Sequence, residues 1–294
     1  MKDQYFGDIN DYRKYGLLRS IIRASGFRLL VAWMLTPDDG STDGKFISYL
    51  KHSSKWSGHD PALFQKLKQL LAYAQERQIG LIEDSDLLSK AEYFSDHTPD
   101  SALARSLWFR SLTESAHGRD FVFLDPDNGL EVKSKPYGRK DSSKYLYWRE
   151  VEALWSSGKS LLIYQHFIHE KRFNFIQRLL KTLRSTTLGS FVEAFSTPHV
   201  VFLMALQPEH QSFHEAIVSS VQESWEGQIH HWELTLERIR LDCESGANHN
   251  LNRLLDKPGL LYRKQLFGSF PGSGRWEGED LLVVKNWTFD DGFS

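Results

Sequence analysis

The sequence contains a single cysteine, Cys243, among 294 residues. That excludes a disulfide framework and any zinc site built on cysteine. No apolar run approaches the roughly 20 residues of a membrane-spanning helix, so no membrane partner is expected. The opening MKDQYFGDINDYRKYG lacks the apolar centre of a secretory signal, and a cytoplasmic protein is the expectation. Also missing are a P-loop, a G-x-S-x-G elbow, an H-E-x-x-H pair and a complete G-x-G-x-x-G fingerprint. Charge is nearly balanced, at a net −2. This excludes a protein that holds nucleic acid by its overall field, while leaving room for a local basic surface.

What is present alternates in a regular way. Apolar residues at helical spacing follow a cap at Asn10 or Asp11, and Ser25-Gly26 ends that helix. FRLLVAWML (27–35) reads as a buried strand closed by Thr36-Pro37-Asp38-Asp39-Gly40. Residues 60–78 form an amphipathic helix opened by Asp60 and Pro61. IGLIEDSDLL (79–88) reads as a short strand ending in acids. Helices over 102–116, 145–157, 170–185 and 208–225 alternate with strands at 121–124 and 159–167 and with two strands around Thr197-Pro198. The rhythm predicts an α/β fold over residues 1–240: a mostly parallel, Rossmann-like sheet with helices on both faces. From about Ser245, clusters of Gly, Pro and Ser break it. Residues 241–294 read as a C-terminal extension ending in a β-hairpin, packed on the main domain or offered to a protein partner.

In such a sheet, ligands sit beyond the carboxyl ends of the strands. That edge gathers Thr36, Asp38 and Asp39, then Glu83-Asp84, Asp125-Pro126-Asp127-Asn128 and Gln165-His166. Two chemistries fit Asp125 and Asp127. As paired carboxylates they can hold Mg²⁺ or Mn²⁺ on a phosphate, with Asp38, Asp39 or Glu83 completing the shell. As a D-P-x-x turn they can present a carboxylate and a backbone carbonyl to the exocyclic amine of a base. A plain turn set by Pro126 and Gly129 fits the same residues.

Directly after the turn, Lys133, Lys135, Arg139, Lys140 and Lys144 interleave with Tyr137, Tyr145, Tyr147 and Trp148. Cations pair with phosphates and aromatic faces stack bases, so this stretch reads as an edge for nucleic acid or a nucleotide. The same lysines equally suit a solvated loop, and Tyr145, Trp148, Val151 and Leu154 have helical core spacing. His166 and His169, beside Glu170, could share a metal, whereas His230-His231 and His249 show no partner pattern. Tyr5, Phe6, Asp8, Asn10, Asp11, Tyr12, Lys14 and Tyr15 form a polar and aromatic cluster able to fold over the sheet edge.

The segments YFGDINDYRKYGLLR, AWMLTPDDGSTDG, FVFLDPDNGLEVKSK, SSKYLYWREV and IYQHF resemble an uncharacterised family of bacterial and phage proteins over about residues 5–235. More distantly, the order of parts is similar to class I S-adenosylmethionine-dependent methyltransferases, the three-cysteine-motif partner proteins in particular. That resemblance implies S-adenosylmethionine as cofactor, held near Thr36, Asp38, Asp39 and either Glu83 or Asp84, with Asp125-Pro126 facing the target amine. The first expectation is therefore a methyltransferase-like enzyme acting on nucleic acid or a nucleotide. Asp125, Asp127, Asn128 and His166 would be catalytic, and Lys14, Lys133, Lys135, Arg139, Lys144 and Tyr137 would hold substrate. The second is a metal-dependent nuclease or a nucleotidyl- or glycosyl-transferring enzyme using Asp125 and Asp127 as ligands and His166 as acid or base. The third is a non-catalytic module that binds a nucleotide or a partner.

Overall fold

A computed structural model describes residues 1–37, 44, 46–235, 238–239 and 281–282. The chain divides into two compact units, Met1–Leu234 and Thr235–Ser294. In the second, the short strands β10 (Arg238–Ile239) and β11 (Leu281–Leu282) pair antiparallel. The hairpin expected at the end of the chain otherwise lies outside the described residues.

The first unit is built on a seven-stranded mixed sheet. Its strands are β1 (Leu29–Ala32), β2 (Ala91–Phe94), β3 (Phe121–Leu124), β6 (Ser160–His166), β7 (Phe191–Ser196), β8 (Val200–Leu206) and β9 (His230–Glu233). They lie in the order β2-β1-β3-β6-β8-β7-β9. The first four are mutually parallel, and β8, β7 and β9 each run antiparallel to the strand before them in that order. A mostly parallel sheet is thus found in one half only. The tight turn at Thr197-Pro198 returns the chain directly beside itself, which only an antiparallel pair permits. A small separate ladder joins β4 (Gly129–Leu130) to β5 (Tyr145–Leu146).

Alternate side chains of each strand enter two cores. Leu29, Val31, Phe121, Phe123, Tyr164, Phe195 and Phe202 face one side with α1 (Ile9–Ser25), α3 (Pro61–Tyr73) and α8 (His214–Trp225). Leu30, Ala32, Val122, Leu124, Ile163 and Leu203 face the other with α5 (Ala102–Ser115), α6 (Trp148–Ser156) and α7 (Arg172–Thr186). Each fully buried Leu, Val, Ile or Phe in these layers contributes ~1.5–3 kcal/mol. Helix α1 is buried along much of its length because α8 packs across it. A Cβ on Gly16 would lie 1.8 Å from the Trp225 ring, so only glycine admits this approach. Gly26, left-handed at φ 71°, ends the helix as expected.

Two local expectations are corrected. Helix α1 is capped by Asp8, whose carboxylate accepts from the Asn10 and Asp11 backbones, rather than by Asn10 or Asp11. The Asp11 carboxylate is engaged elsewhere, by the Gly7 amide and the Tyr15 hydroxyl. The strand expected within 79–88 is instead the single turn α4 (Gly80–Glu83), because Ile79 and Ile82 are buried at helical spacing. The true second strand, Ala91–Phe94, lies at the sheet edge. Glu92 is exposed there and only Phe94 is fully buried, which leaves little apolar signal. The remaining short helix is α2 (Ser53–Trp56). Among the described residues, no helix is long and apolar enough to cross a membrane.

Candidate functional site

After β1 the chain crosses to β2 at the edge and returns to β3 on the other side of β1. The carboxyl ends of β1 and β3 therefore form the topological switch point where a doubly wound sheet leaves a crevice. Asp125 occupies that point, its amide donating to Ala32 at 3.0 Å in continuation of the ladder. It is 1% exposed and Asp127 is 7% exposed.

Helix α1 runs beside this crevice and delivers Lys14. The Lys14 Nζ lies 2.7 Å from Asp125 Oδ2 and 2.8 Å from Asp11 Oδ1, with only 1% of its side chain exposed. The rings of Tyr164, Tyr15 and Trp33 surround the ammonium at 5.3–5.7 Å, an arrangement that favours a cation. Burial opposes that charge, but Asp11 and Asp125 outweigh it and hold Lys14 above the ordinary lysine value. Burial lifts the Asp125 carboxyl above its usual range, against the pull of Lys14. Asp8, buried beside Asp11, is raised to about 7.

The first residues of the chain fill the rest of the crevice. The Met1 amine donates to the Asp125 carbonyl at 3.2 Å and to the Met34 carbonyl at 3.3 Å. It also lies 3.9 Å from Asp127 Oδ1, and Lys2 Nζ lies 3.5 Å from Asp127 Oδ2. Met34, two residues past the end of β1, holds a left-handed backbone at φ 47°. Such a conformation costs ~1–3 kcal/mol and gathers at ligand clamps. On the far side of the turn, Gly129 has φ 101°, and a Cβ there would lie 2.5 Å from Gln165 Oε1. That Gln165 oxygen accepts from the Leu130 amide at 2.7 Å, which pins the turn to β6.

The expected site residues are distributed unevenly around this point. Thr36 is buried, and its amide donates to the Met1 carbonyl at 3.0 Å. Asp38 and Asp39 lie outside the described residues. Glu83 belongs to α4 rather than to a strand end, yet Oε1 of its carboxylate accepts from Trp33 Nε1 at 2.8 Å and from the Ser95 hydroxyl. It therefore stands beside the ends of β1 and β2 after all. Asn128 is exposed, and its amide donates to the Lys144 carbonyl at 2.9 Å. His166 ends β6, its ring 5.0 Å from that of Tyr164. His169 is exposed and Glu170 pairs with Arg178 at 2.6 Å, so that pair builds no metal site with His166.

Lys14 is a correction, since it is locked between two carboxylates and is not offered to substrate. Asp125 and Asp127 as metal ligands meet the same objection, because ammonium groups already stand against both. In the basic stretch, Lys135 and Lys144 are drawn to Asp141, at 2.7 and 3.9 Å. Tyr137 is covered by the Arg149 guanidinium, 3.1 Å from its ring centre. Lys133, Arg139 and Lys140 remain exposed. Asp100 anchors this stretch by accepting from the Asp141 and Ser143 amides at 2.9 and 2.7 Å.

Comparison with protein-family models and with curated proteins gives no match. Among solved structures, the chain is similar to the crystal structure of protein LPL1258 from Legionella pneumophila, assigned to the family model DUF519. The alignment covers 77% of this chain and 95% of that one, at 10% identity and a TM-score of 0.35. A likeness this slight carries no chemistry from one protein to the other.

Proposed function

We propose that the protein is a methyltransferase-like enzyme that steadies an amine of a nucleobase, in a nucleic acid or nucleotide, on the Asp125 turn. One observation carries this reading: Asp125 receives an amine on each of its acceptors, Lys14 on the carboxylate and Met1 on the backbone carbonyl. A turn that already holds two amines has the polarity that a third would need. The metal reading is weaker, because a divalent cation would have to displace Lys14 and bring its own positive charge against it.

S-adenosylmethionine would supply the methyl group when bound. Glu83 fits that cofactor, since an acid beside the end of the second strand is where a doubly wound sheet meets a ribose. Trp33 and Ser95 both engage Oε1 of its carboxylate and fix its orientation. Asp125 would orient the acceptor amine, and Lys14 would keep its carboxylate ionised although burial favours the neutral form. Exposed Lys133, Arg139 and Lys140 would meet the phosphates of the substrate.

Calorimetric titration with S-adenosylhomocysteine tests the reading. Saturable binding by the wild type, weakened about tenfold or more in Glu83→Ala and retained in Asp125→Asn, is the expected pattern. Asp125→Asn should instead lose methyl transfer to single-stranded RNA or DNA. Absence of binding by the wild type would overturn the proposal.

A further inference from the structure

At the other end of the sheet, Glu193 on β7 has no exposed surface. It stands opposite Glu233 of β9, and residues facing each other across an antiparallel pair share one face of the sheet. His231, two residues before Glu233, points to that face as well. His214 opens α8, which covers the same side. Three elements thus bring ligand atoms of Glu193, His214 and His231 within 4.8 Å of one another.

One of the two histidines is hydrogen-bonded to the carboxylate, and both converge on it. His231 Nε2 lies 2.7 Å from Glu193 Oε2. His214 Nε2 lies 3.1 Å from the same oxygen, but without the alignment of a hydrogen bond. Glu193 Oε1 is buried and has no hydrogen-bond partner among the described residues. Phe191 and Phe195 wall the cluster, their ring centres 4.3 Å from His214 and 5.4 Å from His231. A buried carboxylate with a bare oxygen in an apolar setting is costly unless positive charge is supplied to it.

We propose that Glu193, His214 and His231 form a site for a divalent transition metal of the zinc type, which ties edge strand β9 to β7 and α8. Two imidazoles and a carboxylate suit zinc, whereas Mg²⁺ and Ca²⁺ prefer oxygen ligands throughout. Zinc bonds of ~2.0–2.2 Å in a tetrahedron set ligand atoms about 3.3 Å apart. The two nitrogens, now 2.7 and 3.1 Å from Oε2, need move only slightly to accept an ion. A metal satisfies the carboxylate and both rings at once, which a single shared proton cannot do. Glu233, which faces Glu193 in the register, is exposed. Because among the described residues β9 is bonded in the sheet to β7 alone, an ion here secures an edge strand of the antiparallel half.

The test uses the full chain, stripped with EDTA and titrated with Co²⁺ and then Zn²⁺ at about pH 7.5, where the ligands can release their protons. The expected result is one equivalent of Co²⁺ with visible d–d bands, displacement by Zn²⁺, and a melting temperature raised by several degrees through linkage. His231→Gln keeps a hydrogen-bonding group beside Glu193 but is a poor ligand. It should lose about a hundredfold in metal affinity while its metal-free melting temperature stays near that of the wild type. Failure of the wild type to bind Co²⁺ saturably would sink the proposal. So would wild-type affinity in the His214→Ala, His231→Gln double variant, because the ion would then sit on other histidines.

Discussion

Asp125, at the end of β3, and Glu193, within β7, are both carboxylates with almost no exposed surface, yet their surroundings differ in kind. Asp125 belongs to the parallel half of the sheet and faces ammonium groups, Lys14 on its carboxylate and Met1 on its carbonyl. Glu193 belongs to the antiparallel half and faces two imidazoles, with one oxygen left bare. The first arrangement has its positive charge in place, since Asp11 and Asp125 hold Lys14 cationic. Among the described residues, the second has no lysine or arginine against it and keeps one oxygen bare, the opening that a metal would fill. Burial alone therefore does not identify a functional carboxylate, and the identity of its neighbours decides what it can do.

The sharpest way to break the comparison is to remove charge from each half in turn. Lys14→Met leaves Asp11 and Asp125 buried without their shared cation, and it should cost ~3–5 kcal/mol in chemical denaturation. Glu193→Gln, measured in EDTA, removes a charge that is poorly matched, and it should change stability by less than about 1 kcal/mol or raise it. Equal losses from the two variants would mean that both carboxylates depend equally on their neighbours.

A second, smaller effect lies in pH. Asp8 is raised from an ordinary 3.8 to about 7, chiefly by burial and next by the neighbouring Asp11 charge. Between those values the folded protein holds a proton that the unfolded chain has released. Stability is then fullest below the lower value and falls as pH rises through the upper one. The expected loss is ~2–4 kcal/mol between about pH 4 and pH 8. Asp8→Asn keeps an N-cap of nearly equal quality while removing the titration. Its denaturation midpoint should be distinctly flatter over this range than that of the wild type, and an unchanged slope would assign the pH dependence to other groups.

The two halves were not equally legible from the chain. The Asp125 turn announces itself, because FVFL runs without interruption into D-P-D-N-G, and only a buried strand meeting a turn reads that way. Its partner Lys14 does not, since 111 residues separate them and nothing local to either one points to the other. β2 was hidden by its edge position, where Glu92 interrupts the apolar pattern, while Ile79 and Ile82 imitated a strand nearby. The partners of His231 likewise lie apart from it in the chain. Its neighbours in sequence carry no ligand pattern, and its partners come from β7 and from the start of α8. Only the antiparallel register, set by the Thr197-Pro198 turn and the later return of β9, brings them together.

The smallest effect on the fold, and the most informative for function, concerns the loop that leaves the Asp125 turn. Lys133, Arg139 and Lys140 are exposed, whereas Lys135 and Lys144 are drawn to Asp141. A solvated loop and a phosphate-binding edge use the same residues, and only a ligand tells them apart. Replacing Lys133, Arg139 and Lys140 together by alanine should leave the melting temperature unchanged, since none is buried. If the loop meets a nucleic acid, the variant should bind single-stranded RNA or DNA roughly tenfold more weakly near 0.1 M salt. Three lost phosphate contacts should also flatten the slope of log K against log salt by about 2. An affinity that falls without any change in slope would mean that these cations touch no phosphate. The basic stretch would then serve the fold's solubility, and the crevice at Asp125 would have to hold its substrate by the base alone.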